Sequence, residues 1–274
     1  MTDQTLPLVV GPEALEPRLG DPGLLIVDLC IKPETYLAGH VPGAVHLDYG
    51  RIVAMRRPVG GLLPEPAQLS AALSEIGLTP ERHVVAYDDE GGGRAARLLW
   101  TLAVLGHERM SLLDGGLHAW AHEGHRLERG ACRPEPGVYE ARVARPELVA
   151  DAGYVLAHLD DPEVVLVDAR SPAEYAGLKR FAERGGHIPG AVNFEWTQAM
   201  DRARNLRLRD AGWLRERFAS LGVTPDKEVV TYCQTHHRSA HTWLVLTWLG
   251  YPRVRGYPGS WSDWGNRTDT PVEL

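Results

Sequence analysis

The sequence predicts an α/β protein with two homologous domains, each a mostly parallel sheet flanked by helices. Three observations support this fold class: a repeat that relates the two halves of the chain, short β-branched segments in each half, and amphipathic segments that alternate with them. A chain of 274 residues is long enough for one large domain or for two smaller ones. The repeat favours two domains.

The repeat is clearest at a segment that ends in a tyrosine. Residues 76–87 align with residues 221–232 without a gap, at a constant offset of 145. Earlier in each half, His-Val-Pro-Gly-Ala at residues 40–44 corresponds to His-Ile-Pro-Gly-Ala at residues 187–191. Because the motifs keep the same order in both halves, they indicate two copies of one domain and not an array of short repeats.

The composition between the two copies suggests where one domain ends and the next begins. Residues 133–137 read Arg-Pro-Glu-Pro-Gly, which is typical of a connecting segment. We therefore predict a first domain over residues 1–128, a linker over residues 129–145 and a second domain over residues 146–274.

Each half contains an apolar, β-branched segment that predicts a buried central strand, at residues 84–87 and 229–232. A short loop and an amphipathic helix follow each strand, and we expect the helices at about residues 94–105 and 238–249. Ligands of open α/β sheets bind beyond the carboxyl ends of the strands. The two loops that follow these strands are therefore the candidate sites.

The charge of the chain limits its partners. It has 29 basic and 36 acidic side chains, which give a formal net charge of −7. Nucleic acids and anionic membranes require a basic face on the protein, so we expect neither as a partner. A small anionic substrate remains compatible with this charge, because a local basic pocket does not depend on the net charge.

The cysteines and the N-terminal sequence indicate a reducing compartment. Cys30, Cys132 and Cys233 are too few and too widely spaced for a disulfide framework, and we expect the first two to be structural. Residues 1–4 do not begin a signal-peptide pattern, and no apolar run reaches the roughly 18 residues of a membrane span. We therefore expect a cytoplasmic protein, and a monomer, because two domains can cover each other's surfaces.

The two candidate loops differ at the position directly after the strand. The first reads Asp-Asp-Glu-Gly-Gly-Gly-Arg at residues 88–94, whereas the second begins at Cys233, is one residue shorter and reads Cys-Gln-Thr-His-His-Arg. A cysteine at this position faces backbone N–H groups and a helix N-terminus, which favour the thiolate. Positive charge from Arg238, and from His236 or His237 when protonated, lowers the thiol pKa further and makes the cysteine a nucleophile.

These features resemble the tandem-domain rhodaneses over nearly the full length of the chain. The matching motifs are Val-Asp-Ala-Arg at residues 167–170 with Glu174 and Tyr175, His-Ile-Pro-Gly-Ala at 187–191, the loop at 233–239, and Gly-Ser-Trp-Ser-Asp-Trp at 259–264. The loop is most similar to that of bacterial, Azotobacter-type members of the family. The resemblance implies two rhodanese-like domains, of which the second is catalytic and the first, with Asp88 in place of the cysteine, is an inactive copy.

The resemblance also implies sulfur transfer in two half-reactions. The Cys233 thiolate takes the outer sulfur of thiosulfate, releases sulfite and holds the sulfur as a persulfide. Cyanide or a thiol acceptor, which can belong to another protein, then removes the sulfur. This chemistry requires no metal and no organic cofactor.

Candidate substrate-binding residues surround the cysteine. The loop amides are expected to stabilise the persulfide anion, and the guanidinium groups of Arg238 and Arg170 to face the thiosulfate dianion. Asp168 is expected to brace the backbone at the end of the neighbouring strand. The full candidate set for substrate binding is Gln234, Thr235, His236, His237, Arg238, Ser239 and Arg170.

Two other functions remain open. The first is 3-mercaptopyruvate sulfurtransferase, although the loop departs from the Gly-Ser-Gly-Val-Thr that follows the cysteine in that family. It departs equally from the mammalian thiosulfate enzymes, which have a lysine at the position of Thr235 and an arginine at that of Glu174. The second is a persulfide carrier or sensor with slow turnover.

Two further readings of the cysteine loop are disfavoured. Cysteine phosphatases of this fold have five residues between cysteine and arginine, whereas four separate Cys233 from Arg238. A metal site formed by Cys233, His237 and His241 lacks a fourth ligand at regular spacing, so we expect no metal.

Overall fold

The computed structural model describes residues 6–274, which form two compact units. Unit 1 contains residues 6–52, 64–144 and 200–208, and unit 2 contains residues 53–63, 145–199 and 209–274. Each half of the chain therefore contributes a short segment to the unit formed mainly by the other half. The sequence repeat does not indicate this exchange, and the domain boundaries inferred from it stay a prediction.

Residues 6–274 contain thirteen strands and ten α-helices, connected by loops and single 3-10 turns. The strands are β1 (Val9–Val10), β2 (Leu24–Asp28), β3 (Val45–His46), β4 (Ala54–Arg56), β5 (Val59–Leu62), β6 (His83–Tyr87), β7 (Met110–Leu113), β8 (Val164–Asp168), β9 (Val192–Asn193), β10 (Met200–Asp201), β11 (Arg207–Leu208), β12 (Glu228–Tyr232) and β13 (Val254–Gly256). The helices are α1 (Pro12–Leu15), α2 (Pro33–Ala38), α3 (Pro66–Glu75), α4 (Gly93–Val104), α5 (Gly116–His122), α6 (Ala152–Ala157), α7 (Pro172–Tyr175), α8 (Ala211–Ser220), α9 (Arg238–Trp248) and α10 (Ser260–Trp264). Among these described helices, none has both the length and the apolar character needed to cross a membrane.

Unit 1 is built on a five-stranded parallel sheet with the strand order β1-β7-β6-β2-β3. The central strand β6 is buried at all five residues, and α4, which follows it, is buried along its whole length. Burial of this kind is expected of a parallel sheet with both faces covered. The predicted strand and helix are confirmed, with each starting one residue earlier than expected.

Unit 2 repeats this design with a four-stranded parallel sheet in the order β13-β12-β8-β9. At the edge of this sheet, Val149 makes a single parallel bridge to Gly256 of β13, as β1 pairs with β7 in unit 1. The central strand β12 leads into α9, which ends one residue before the predicted position. The α/β fold class with two homologous domains is confirmed.

The repeated tyrosine and His-x-Pro-Gly motifs make the same contact in both units. The buried hydroxyl of Tyr87 accepts the N–H of Val41 (3.1 Å), and the buried hydroxyl of Tyr232 accepts the N–H of Ile188 (3.2 Å). Each bond satisfies a buried backbone donor and joins the end of the central strand to the neighbouring turn. This contact explains why both motifs occur in both halves.

The exchanged segments form a small antiparallel hairpin in each unit. Strands β4 and β5 pair within unit 2, and β5 packs against α10. Strands β10 and β11 pair within unit 1, where Arg207 forms ion pairs with Glu13 (2.7 Å) and Glu123 (2.5 Å).

Candidate active site

Cys233 lies at the carboxyl end of β12, at the start of the loop that leads into α9, and its side chain is fully buried. Ser260 of α10 fixes this loop, because its hydroxyl accepts the backbone N–H groups of Cys233 (3.2 Å) and His236 (3.1 Å). His236 has a φ of 52°, in the left-handed region that few residues other than glycine adopt. One serine hydroxyl therefore holds two backbone N–H groups of this tight turn, those of its first and fourth residues.

The sulfur of Cys233 is surrounded by hydrogen-bond donors. Burial by itself raises the pKa of a thiol. At Cys233 this effect is outweighed by the positive charge of Arg238, by the hydroxyl and N–H of Ser239, and by the N–H of Thr235. The pKa of the Cys233 thiol is therefore lowered from its ordinary value, and the thiolate forms at a lower pH than in a free cysteine.

The corresponding loop of unit 1 shows what such an arrangement of N–H groups binds. Asp88 stands at the position of the cysteine, and its buried carboxylate accepts four backbone N–H groups. These donors belong to Glu90 (3.0 Å), Gly92 (2.8 Å), Arg94 (2.9 Å) and Ala95 (3.0 Å). Burial raises the pKa of the Asp88 carboxyl and the loop N–H groups act against this, so the loop of unit 1 holds an acidic side chain of its own at the position of the cysteine.

Arg238 is held by a bidentate ion pair with Glu174. The two terminal guanidinium nitrogens lie 2.7 and 2.8 Å from the two carboxylate oxygens. Burial raises the pKa of the Glu174 carboxyl, but Arg238 and the hydroxyl of Ser171 lower it to about 2. Glu174 therefore stays ionised and orients the guanidinium that acts on the thiol.

Arg170 lies in a different environment from the one expected of a thiosulfate ligand. Its side chain is 1% exposed, and its guanidinium bonds to both carboxylate oxygens of Asp168 and to the carbonyl of Gly186 (2.7 Å). It also lies over the ring of Trp261, 4.4 Å from the ring centre. The contacts of Arg170 therefore join parts of the fold and do not support the role in thiosulfate binding expected from the sequence.

The other predicted residues of the loop differ in solvent exposure and in the contacts of their side chains. His236 is buried, and its Nδ1 lies 2.8 Å from the hydroxyl of Ser239. His237 is half-buried, and its ring lies 5.9 Å from that of Trp196. The side-chain amide of Gln234 donates to the carbonyl of Phe181 (3.2 Å). Of the two loop histidines, His237 is the one with solvent access.

The hairpin β4–β5 forms one wall of the cysteine loop, and the sequence analysis did not identify it. The N–H of Gly60 donates to the hydroxyl of Ser262 (3.0 Å). Gly61 has a φ of 72°, and a Cβ atom built on it lies 2.1 Å from the carbonyl oxygen of Thr235. Only glycine fits this contact, so the adjacent glycines of β5 were the available signal.

A cluster of potential metal ligands lies in unit 1. His40, Glu128 and Cys132 bring three ligand atoms within 4.8 Å of one another, with His40 Nε2 3.5 Å from the sulfur. In unit 2, His187 and Glu273 form the same histidine–carboxylate contact (3.7 Å) beside an equivalent antiparallel bridge. The histidine and the glutamate therefore belong to a repeated structural contact, to which Cys132 is added in unit 1.

The ion pair at Arg238 leads to a prediction about the reactivity of the thiol. Arg238→Gln removes the positive charge beside Cys233, so the thiol pKa should rise and the rate of alkylation by iodoacetamide at neutral pH should fall several-fold. The measurement is the pH profile of alkylation, which should move to higher pH.

The control for this prediction separates charge from folding. Arg238→Gln leaves the buried Glu174 carboxylate without its partner, at a cost of roughly 3–5 kcal/mol. Combining it with Glu174→Gln removes both charges and should recover most of the stability, while Arg238→Lys keeps the charge. If the profile is unchanged in the double variant, or is shifted as far in Arg238→Lys as in Arg238→Gln, the charge of Arg238 does not set the thiol pKa.

A comparison with known protein families identifies the class. The model of the Rhodanese-like domain matches the chain twice, at residues 11–123 and 151–267. The chain belongs to the rhodanese-like family and carries two copies of its domain, as the motifs predicted.

Individual relatives cover nearly the whole chain. A thiosulfate sulfurtransferase of Pseudomonas aeruginosa is 49% identical, and one of Azotobacter vinelandii is 50% identical, each over 98% of both chains. A more distant relative, the sulfur carrier protein TtuD of Thermus thermophilus, is 32% identical over 97% of this chain and 96% of its own.

Proposed function

We propose that this chain is a thiosulfate sulfurtransferase in which Cys233 carries the transferred sulfur. The observation that carries the proposal is a buried thiol of lowered pKa in a loop whose counterpart in unit 1 binds a carboxylate through four N–H groups. Thiosulfate as the donor is supported by the names of the two relatives near half identity.

In the first half-reaction, the Cys233 thiolate attacks the outer sulfur of thiosulfate. The sulfur–sulfur bond of the donor breaks, and sulfite leaves with the bonding electron pair. The persulfide that forms carries the negative charge of the original thiolate. We propose that the loop N–H groups and Arg238 stabilise this anion, since preformed donors need no reorganisation as charge moves onto the outer sulfur.

In the second half-reaction, cyanide or a thiolate attacks the outer sulfur of the persulfide. The bond to Cys233 breaks, the product leaves as thiocyanate or as a new persulfide, and the thiolate is regenerated. Both steps balance without an added oxidant or reductant, so we propose that no cofactor takes part.

We propose a donor site made of the loop itself. Its members are Gln234, Thr235, His236, His237, Arg238 and Ser239, with Asp168 as structural support. Arg238, which keeps 21% of its side chain exposed, and the half-buried His237 are the side chains of this set that can face a dianion. We also propose a cytoplasmic monomer, as expected from the sequence.

Two alternatives of the same chemistry differ from this proposal in one step each. A 3-mercaptopyruvate sulfurtransferase would load the same cysteine from a different donor. A sulfur carrier would load once and discharge only to its partner, and the relative named as a sulfur carrier favours keeping this candidate.

The test is intact-mass measurement after incubation with thiosulfate, with 3-mercaptopyruvate, or with no donor. We expect thiosulfate to add the mass of one sulfur atom to the protein, and cyanide to remove it. With thiosulfate and cyanide both in excess, thiocyanate should form repeatedly. Faster loading from 3-mercaptopyruvate would assign that donor instead, and a single equivalent of thiocyanate would indicate a carrier. No adduct from either donor would contradict sulfur transfer by this chain.

A further inference from the structure

The second half of the chain contains an insertion that the first half lacks. Tyr36 lies four positions before His40, whereas Tyr175 lies twelve positions before His187, a difference of eight residues. The two pairs correspond in structure, because each tyrosine ring stacks on its histidine, with ring centres 4.2 and 3.6 Å apart. The eight extra residues therefore lie within residues 176–186.

The C-terminal part of the insertion is anchored to unit 2. The guanidinium of Arg184 donates to the carbonyls of Trp264 (2.7 Å) and Thr270 (2.5 Å). The indole N–H of Trp261 donates in turn to the carbonyl of Arg184 (3.0 Å). These contacts fix the segment in place without using the side chains that precede Arg184 in the insertion.

Residues 178–181, here called the exposed turn, present apolar and basic side chains to solvent. Leu178 is 85% exposed and Phe181 is 56% exposed. Lys179 and Arg180 lie between them and are also exposed, with the Lys179 ammonium 4.9 Å from the centre of the Phe181 ring. Large exposed apolar side chains close together in the sequence, flanked by charged ones, are a feature of protein-binding surfaces.

The exposed turn is joined to the catalytic loop. The carbonyl of Phe181 accepts a hydrogen bond from the side chain of Gln234 (3.2 Å), and Gln234 directly follows Cys233. Unit 1, which has Asp88 in place of the cysteine, has no counterpart of the insertion. The surface therefore occurs beside the loop that carries the thiol and is missing beside the loop that does not.

We propose that the exposed turn is the docking surface for the sulfur acceptor, and that this acceptor is an acidic protein with apolar side chains next to its thiol. Lys179 and Arg180 form a local positive patch on a chain of net charge −7, which complements an acidic partner. Leu178 and Phe181 supply the apolar contact. The inference rests on the proposed function, because it requires a persulfide on Cys233.

Transfer to this partner follows the chemistry of the second half-reaction. The acceptor thiolate attacks the outer sulfur of the persulfide, the sulfur–sulfur bond breaks, and Cys233 leaves as the thiolate. The acceptor becomes the persulfide, and no oxidant or reductant is consumed. Docking beside Gln234 raises the rate by holding the acceptor thiol near the loop.

The test measures only the second half-reaction, in which an acceptor removes the sulfur from Cys233; this step is called discharge below. The full chain is loaded from thiosulfate, freed of excess donor, and mixed with cyanide or with one of two synthetic peptides, Asp-Glu-Leu-Cys-Phe-Glu and Lys-Arg-Leu-Cys-Phe-Lys. Rates are corrected for the thiolate fraction of each peptide. We expect the acidic peptide to discharge the protein roughly tenfold faster than the basic one at low ionic strength, with a smaller difference at high salt.

Variants of the exposed turn supply the decisive comparison. In Lys179→Glu/Arg180→Glu, discharge by the acidic peptide should fall about tenfold and discharge by the basic peptide should rise. Leu178→Ser/Phe181→Ser should slow both peptides several-fold. Discharge by cyanide should stay within about twofold in both variants, because cyanide needs no docking surface.

A matched control, Arg202→Glu/Arg204→Glu, makes the same change in net charge at exposed arginines of unit 1. The docking proposal is overturned if both peptides discharge the protein equally, if neither does, or if this control has the effect of the Lys179→Glu/Arg180→Glu variant. A protein that is not loaded by thiosulfate, or not discharged by cyanide, contradicts the proposed function instead. The two failures are therefore distinguishable.

Discussion

Cys233→Ser is expected to lower the thiosulfate-dependent formation of thiocyanate by roughly 10³-fold or more. A serine hydroxyl ionises far less readily than a thiol of lowered pKa, so it does not attack the donor. Intact mass after incubation with thiosulfate should show no added sulfur. The free energy of unfolding should change by no more than about 1 kcal/mol, because the substitution is nearly isosteric.

The other two cysteines provide matched controls for this variant. Burial and the nearby Asp28 raise the pKa of the Cys30 thiol, and burial and Glu128 raise that of Cys132. Cys30→Ala and Cys132→Ser should therefore keep both the sulfur adduct and the turnover. A sulfur adduct on the Cys233→Ser protein, or loss of the adduct in either control, would assign the nucleophile to a different residue.

Gly61→Ala is expected to lower kcat/KM for thiosulfate by about 10²-fold. The added Cβ lies 2.1 Å from the carbonyl oxygen of Thr235, so this part of the loop must move. The N–H of Thr235 is one of the donors to the Cys233 sulfur. Displacing it should also raise the thiol pKa, which the pH profile of alkylation would measure independently of turnover.

Gly222→Ala is the control for backbone strain at Gly61. Gly222 has a φ of 75°, close to the 72° of Gly61, but a Cβ atom built on it has no neighbour within 4 Å. Both substitutions should cost about 1 kcal/mol of stability from the unfavourable backbone conformation. Turnover and the alkylation profile should change in Gly61→Ala alone. If Gly61→Ala keeps kcat/KM within about twofold of the unmodified protein, the hairpin does not position the loop.

The parts of the fold that were predictable are those with local signals. The strand β12 has a continuous apolar pattern, and the loop after it is defined by the contrast between Cys233 and Asp88 in the two copies. Internal comparison works here because both copies place the same elements in the same order. The same comparison helped to predict where the helices α4 and α9 begin and end. The observed boundaries fall within one residue of the predicted positions.

The contacts that were not predictable join residues far apart in sequence. Gly60 bonds to Ser262 across 202 positions, and no periodicity in the sequence reports such a pairing. Arg170 was expected at the substrate because a guanidinium suits an oxyanion, yet the buried carboxylate of Asp168, two positions earlier, takes its hydrogen bonds. The sequence therefore shows that a charged side chain such as Arg170 is near the candidate site. It does not show whether that side chain binds the substrate or pairs with another residue of the protein.

The exchange of hairpins between the two halves determines when each unit can be completed during synthesis. Domains of a growing chain generally fold in order from the N-terminus. Unit 1 still lacks residues 200–208, with the ion pairs of Arg207, when the ribosome has passed residue 144. Unit 1 is therefore finished only when translation has passed residue 208, about midway through the second half of the chain, and the nascent chain carries an incomplete unit 1 until then.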